Sequence, residues 1–325
     1  MPLSSGFSGA SRSGTAPLEV TLCRGCIGES KHRVHAVVCD GRGRVLMSAG
    51  DPGYETFIRS ALKPFQALPF LSSGAAAQME AGDRGIAISC ASHSGSNEHA
   101  REAFRLLWNA ELEASHLQCP VPEGSDSPLQ HNCSGKHAAF LATSRKMAWP
   151  LDSYLQSDHP LQKEVNRRVA ELLGLPAAEL VAARDDCGAP TLRLQLAQMA
   201  LLYAHLGASR HAELEQISRA MLAHSDLVAG AGRFDTELMG RSHGQVLSKG
   251  GAEGIQCLSR IGEGLGVAIK VEDGSRRAKQ AVALHLLRQL EWLTPMSLQE
   301  LEEQVLILNP GVHLEVNGSL QFQQS

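Results

Sequence analysis

Ser60-Ala61-Leu62-Lys63 sets a hydroxyl and an amine at S-x-x-K spacing. On a helix this spacing is about one turn, so both side chains share a face. A serine hydroxyl is a poor nucleophile until a base takes its proton. Lysine can be that base only when desolvation or a neighbouring cation lowers its pKa. Pro64 follows directly, and in a first helical turn its missing N–H costs little. The same spacing also arises by chance on solvated helix faces, so S-x-x-K alone is a weak signal.

Four more segments carry chemistry-bearing side chains. Cys90-Ala91-Ser92-His93-Ser94-Gly95 follows an apolar run and puts hydroxyls just past its end. Its plain reading is a loop leading to a helix capped by Ser96 or Asn97. His131-Asn132-Cys133-Ser134-Gly135-Lys136-His137 gathers two histidines, a cysteine and a lysine. Asp185-Asp186-Cys187-Gly188-Ala189-Pro190 is a polar loop before an expected helix. Cys133 and Cys187 could join a nitrogen or carboxylate neighbour around a metal, or be two buried structural thiols. Ser248-Lys249-Gly250-Gly251-Ala252-Glu253-Gly254 ends an expected strand, where glycines let a ligand lie against the backbone beside a cation. It reads equally as a Gly-rich turn with a solvated lysine.

The order of these segments says more than any one of them. S-x-x-K, then a serine-centred loop, then K-G-G is the layout of penicillin-recognising serine enzymes. Two lysines, 63 and 249, in one pocket would each raise the cost of protonating the other, which is the condition for a lysine base.

The elements that must position these groups follow from composition and pattern. The chain has 325 residues, 43% hydrophobic and 20% charged, enough for a real core. Its formal net charge of -4 argues against nucleic acid as a partner. No apolar stretch approaches the roughly 20 residues of a membrane-crossing helix. Residues 1–17 lack the basic start and apolar segment of a signal peptide and read as a flexible leader. The eight cysteines then read as reduced thiols of a cytoplasmic protein. Cys23-Arg24-Gly25-Cys26 lacks a second C-x-x-C and reads as structural thiols on a strand.

A single domain over 18–325 is expected, since no repeat or linker interrupts it. Leu18–Cys23, Arg33–Cys39 and Arg44–Met47 read as strands, the last two joined by the turn Asp40-Gly41-Arg42-Gly43. Ser60–Leu71 reads as a helix broken near Pro69, Gly85–Cys90 as a buried strand and Asn97–Glu111 as an amphipathic helix. Gly135–Arg145, Pro160–Leu173, Pro190–Leu206 and Ala212–Ala223 carry helical periodicity. Gly244–Ser248, Gly254–Ser259 and Gly266–Val271 read as strands, and Arg276–Leu293 and Ser297–Leu306 as helices. Strands, helices, strands, helices is an α+β order.

Taken together, the motifs resemble the serine-dependent rhizobial-type (class 3) asparaginases, the asparaginase II family. The resemblance rests on Glu29-Ser30 with His32, Arg59 to Pro64, Ser92 to Gly95, His131 to His137, Cys187 to Pro190, Ala229 through Asp235-Thr236, and Lys249 through Gly254. It covers about residues 20–275. It implies a serine β-lactamase/glutaminase-like fold, an antiparallel sheet packed with helices plus a helical lobe. It implies hydrolysis of L-asparagine to L-aspartate and ammonia by two Ser–Lys pairs, Ser60 with Lys63 and Ser92 with Lys249, Ser60 being the nucleophile. Lys270 is a second candidate partner for Ser92. The resemblance also implies an affinity-tuning zinc on Cys133, Lys136 and Cys187, substrate contacts from Arg59, His137 and Asp185, and a homodimer. Departures fall at Ser96-Asn97, at Asp186 and around Gly25 to Gly28, and concern the pocket rim.

Rival readings are a glutaminase or other small-molecule amidase, a penicillin-binding or β-lactamase role, and a catalytically silent metal-binding protein. The T-G-G-T-type motif of threonine-dependent asparaginases and the G-x-S-x-G elbow are both missing. Gly262-Glu263-Gly264-Leu265-Gly266 has the wrong spacing for a dinucleotide fingerprint.

Overall fold

The computed structural model describes residues 15–208 and 210–323. The expected leader lies outside the described residues over 1–14. Thr15 and Ala16 are already tied in, both carbonyls facing the Gly50 N–H at 3.1 and 3.2 Å.

The N-terminal strands β1 (Leu18–Arg24), β2 (Ile27–Asp40) and β3 (Val45–Ala49) fall where the pattern predicts, with β2 longer than expected. The β2–β3 turn is made by Asp40, whose carboxylate accepts from the Arg42 and Arg44 N–H groups at 2.9 and 3.0 Å. This is the local bonding that makes Asp a turn residue.

The remaining strands are β4 (Glu55–Phe57), β5 (Val181–Arg184), β6 (Pro190–Gln195), β7 (Val246–Gly250), β8 (Ile255–Arg260), β9 (Leu265–Val271), β10 (Val312–Asn317) and β11 (Gln321–Phe322). The main sheet runs β10-β1-β2-β9-β8-β7. On one edge, β2 carries β1 along its first half and β3 along its second, and β11 extends β3. A second sheet, β4-β6-β5, stands apart. All pairings are antiparallel.

Both faces of the main sheet are covered along the second half of β2, which is why Val34–Cys39 reads as an apolar run broken only by His35. Val34, Ala36 and Val38 point to a core shared with the helices Arg276–Gln289 and Pro295–Val305. Val37 and Cys39 point to the larger core, with the helix Leu196–Gly207 and the helical lobe. At Gly266 on β9 a Cβ would come within 2.0 Å of the Ala200 carbonyl oxygen. Glycine there lets the helix Leu196–Gly207 lie directly on the sheet.

The lobe contains the helices Gly82–Ser89, Asn97–Asn109, Ser134–Lys146, Pro160–Leu173 and Ala212–Ala223. Ser96 caps Asn97–Asn109 in a reciprocal box with His99, so this departure from the family pattern has a local use.

Several expectations are corrected. Gly85–Cys90 lies in the helix Gly82–Ser89 and its C-cap, not in a strand. A short apolar run buried on all sides has no periodicity to separate the two. Pro190–Gln195 is strand β6, and only Leu196–Gly207 is helical. Alternating Leu192 and Leu194 were absorbed into the strong periodicity that follows. Ser60–Leu71 breaks into a 3-10 turn, Arg59–Leu62, and two short helices, Lys63–Gln66 and Leu68–Ser72. Strands β4, β5, β10 and β11 had no clear sequence signal.

Candidate active site

The Ser60 turn is clamped from three sides. Strand β6 takes the Ile58 N–H on the Leu192 carbonyl at 3.0 Å and the Arg59 N–H on Thr191 Oγ1 at 3.1 Å. The Tyr203 hydroxyl donates to the Ala61 carbonyl at 2.8 Å. A Cβ on Gly251 would meet the Ile58 carbonyl oxygen at 2.9 Å. The second glycine of K-G-G therefore makes room for the Ser60 turn itself. Arg59 has φ +54, an uncommon backbone state for a non-glycine residue. It marks an over-determined turn immediately before Ser60.

Lys63 is 1% exposed, and its Nζ meets the Ala91 carbonyl at 2.5 Å, Ser92 Oγ at 3.0 Å and the Asn132 carbonyl at 3.3 Å. Lys249 is wholly buried, and its Nζ meets Ser92 Oγ at 2.8 Å and the Gly250 carbonyl at 2.9 Å. The Ser92 hydroxyl thus sits between two buried lysines. The half-buried Ser60 is not among the groups that Lys63 Nζ contacts. Lys270 Nζ goes to the Glu253 carbonyl, so Lys249 is the lysine on Ser92.

Lys249 is pulled down to about 7, chiefly by burial. The Asp235 carboxylate opposes this, and the Lys63 charge adds to it. Asp235 lies beneath β7, accepting from Ser248 Oγ at 2.7 Å, the Gly250 N–H at 2.8 Å and Gln256 Nε2 at 2.9 Å. These bonds and the lysine charge hold its carboxyl below the ordinary value despite burial. The sequence reading assigned Asp235 no role. A lone carboxylate on a short helix gives no local sign of its target.

The Ser92 loop is held by the Ser92 N–H on the Val228 carbonyl at 2.8 Å. His93 accepts from the Gly95 N–H at Nδ1, which leaves Nε2 to donate to Ser134 Oγ at 3.0 Å. Ser134 heads the helix Ser134–Lys146. At the next residue, a Cβ on Gly135 would meet the Ile88 carbonyl oxygen at 2.1 Å. The helix start can therefore press against the end of Gly82–Ser89, bringing the Cys133 and Ser92 segments together.

Cys133, Lys136 and Cys187 converge. All three are almost wholly buried, and Lys136 Nζ lies 3.1 Å from Cys187 Sγ. A hydrogen bond from the Cys187 thiol, outweighing burial, holds the Cys133 thiol well below its ordinary value, with help from the Lys63 and Lys136 charges. The Cys187 thiol is correspondingly raised. Burial would lower Lys136, but the facing sulfurs outweigh it and raise it. Among the described residues no third His, Cys, Asp or Glu joins these two thiols in a metal-sized group. Two soft sulfurs and one nitrogen on a dry wall suit a zinc ion with an open fourth position, provided Lys136 gives up its proton.

Arg59 and Asp185 are bonded to each other, Nε to Oδ1 at 2.8 Å, and Arg59 Nη2 also reaches Asp186 at 2.6 Å. Asp186, a departure from the family pattern, therefore shares the guanidinium. His137 is fully buried. The Tyr154 hydroxyl accepts from the Gln118 N–H and so donates to His137 Nδ1 at 2.7 Å. His137 Nε2 then carries the proton and has no partner among the described residues. A cleft of about 270 Å³ opens beside this loop, lined by Gln118, Leu155, Arg184, Gly188 and Pro190. It does not contain the lysines, which are closed over in this structure. A larger cleft, about 420 Å³, is lined by Asp40, Arg42 and Arg210 and includes none of these residues.

The fold is shared with the crystal structure of Mglu at TM-score 0.50 and 13% identity, over 80% of this chain and 67% of that one. The native form of Mglu aligns at TM-score 0.48, 13% identity, 80% and 65%. This chain thus spans about two thirds of the length of Mglu. A Bacillus glutaminase aligns more loosely, at TM-score 0.39, 13% identity, 80% and 91%. No curated protein sequence matches the chain. The α+β class expected from the sequence is the one observed. The profile of the L-asparaginase II family matches residues 20–322, and the chain belongs to that family, which supports an amidohydrolase. Among the described residues no helix is long and apolar enough to cross a membrane.

Proposed function

We propose that the protein hydrolyses L-asparagine to L-aspartate and ammonia by Ser–Lys catalysis. The observation that carries this reading is the Ser92 hydroxyl held between Lys63 and Lys249, with Lys249 lowered to about 7. Near neutral pH a large share of Lys249 is then an amine. Ser92 Oγ contacts both nitrogens, so it can relay a proton between them, and Lys63 would turn from Ser92 toward Ser60 to act as its base.

Ser60 Oγ then attacks the side-chain amide carbon, and Lys63 takes its proton. The C–N bond breaks, and ammonia leaves with a proton returned through Ser92 and Lys249. Water hydrolyses the β-aspartyl ester with the same amine as base. Backbone N–H groups, that of Ser60 among them, would stabilise the developing oxyanion. Arg59 would hold the substrate α-carboxylate, Asp185 its α-ammonium group, and His137 Nε2–H a carbonyl oxygen. Cys133, Lys136 and Cys187 would hold zinc, which when bound supplies a fixed positive charge beside the substrate. The reading is tested by ammonia release from asparagine and glutamine, side by side, for wild type and Ser60→Ala. Release from asparagine alone, lost in the variant, is expected. Preference for glutamine would move the protein to the amidase alternative, and an active Ser60→Ala would remove Ser60 as nucleophile.

A second reading makes Ser92 the nucleophile, because it alone touches both amines. Acid quenching during turnover and peptide mapping separate the two, since the β-aspartyl adduct lies on either the Ser60 or the Ser92 peptide.

A further inference from the structure

The Cys23-Arg24-Gly25-Cys26 segment was expected to be structural thiols on one strand. Cys23 is on β1, but Cys26 sits exposed in the two-residue β1–β2 turn. Gly25 takes φ +58, and its N–H bonds the Gly311 carbonyl at 2.8 Å. The turn is thereby fastened to the start of β10, the edge strand of the main sheet.

Cys23 lies opposite His313 in the β1–β10 register. Leu314 and Val316 of β10 face the core, so His313 and Glu315 share the outward face. Cys23 Sγ, a His313 ring nitrogen and a Glu315 carboxylate oxygen all lie within 4.8 Å of one another. It is the one such group of His, Cys, Asp or Glu among the described residues. His313 Nε2 and Glu315 Oε1 are 3.1 Å apart.

We propose that Cys23, His313 and Glu315 bind a divalent metal of the zinc class, with Cys26 on the turn as the fourth ligand. One sulfur, one imidazole and one carboxylate, completed by the second thiol of a C-x-x-C, form a borderline-soft tetrahedral set. Ligand–metal distances of about 2.0–2.3 Å ask the three grouped donors to draw closer by side-chain rotation, and Cys26, which lies outside that group, would come in from the turn. Each cysteine releases its proton to solvent as its sulfur bonds the metal, and no redox change is involved. The site would clip the C-terminal edge strand to the first hairpin, separate from the Cys133–Lys136–Cys187 group.

The test is a Co2+ titration of the whole protein, read by thiolate-to-metal charge-transfer absorption and by bound equivalents per chain. Wild type is compared with Cys23→Ser/His313→Ala and with His313→Ala/Glu315→Gln. The second pair changes only exposed side chains, so it guards against misfolding in the first. The expected result is one equivalent fewer per chain in both variants, together with a smaller Zn2+-dependent rise in the melting temperature than in wild type. The count is a difference, so it holds whatever the other cysteine site contains. Equal equivalents in wild type and both variants would overturn the proposal. So would a Cys23–Cys26 disulfide in protein purified without reductant that still binds the full number of Co2+ ions.

Discussion

Lys249 Nζ lies 2.8 Å from Ser92 Oγ, across 157 residues of chain. The contact is made by burying an amine completely, and burial is what lowers Lys249 to about 7. An amine is required for the proposed relay, so kcat/KM should rise with pH and level off above about 7. Lys249→Met should lower kcat by about 100- to 10,000-fold, the usual worth of general acid–base help, and flatten the acid limb. A pH–rate profile of both proteins checks this.

The same lysine links folding to pH. Its folded value lies below that of the unfolded chain, so between about 7 and the ordinary lysine range the unfolded state binds more protons. Stability therefore rises with pH across that window and is lost as pH falls through it. Urea denaturation of wild type at pH 7 and pH 9.5 should show the difference, and Lys249→Met should remove most of it.

Asp235 opposes the lowering of Lys249 while fixing Ser248, Gly250 and Gln256. Asp235→Asn removes the charge and sets an amide against a backbone N–H. The acid limb should move to lower pH, and stability should fall by about 1–3 kcal/mol for a buried unsatisfied group. A shift of the limb to higher pH would contradict the assigned role.

Chelation tests the sulfur site. If Cys133, Lys136 and Cys187 hold zinc beside the substrate, metal-free protein should show KM raised roughly 10- to 100-fold, the range seen when metal sites are perturbed. Its kcat should stay within a few-fold. Cys187→Ala should reproduce this and make the enzyme indifferent to chelator. A kcat that collapses with KM unchanged would place the metal in the chemistry instead.

Gly135 joins fold to site, since a Cβ there would meet the Ile88 carbonyl oxygen at 2.1 Å. Gly135→Ala should cost about 1–3 kcal/mol by overpacking. It should also reduce activity in the surviving folded fraction, because the Cys133 and Ser92 segments separate. Thermal unfolding and specific activity per folded molecule measure the two effects.

The sequence by itself determined the pieces whose physics is local. Turn chemistry at Asp40, helix periodicity from Pro160 to Leu173, and the strands around Lys249 are short-range, and S-x-x-K and K-G-G are readable as written. Local pattern failed where burial was complete. Gly85–Cys90 had no polar face to show its period, and Pro190–Gln195 is a strand because β4 and β5 pair with it on either side. Tertiary structure alone decided which groups meet. Ser92 reaches Lys63 across 29 residues and Lys249 across 157, and no spacing rule spans such separations. It also determined the protonation of Lys249, because desolvation belongs to a place in the packed molecule rather than to a position in the chain.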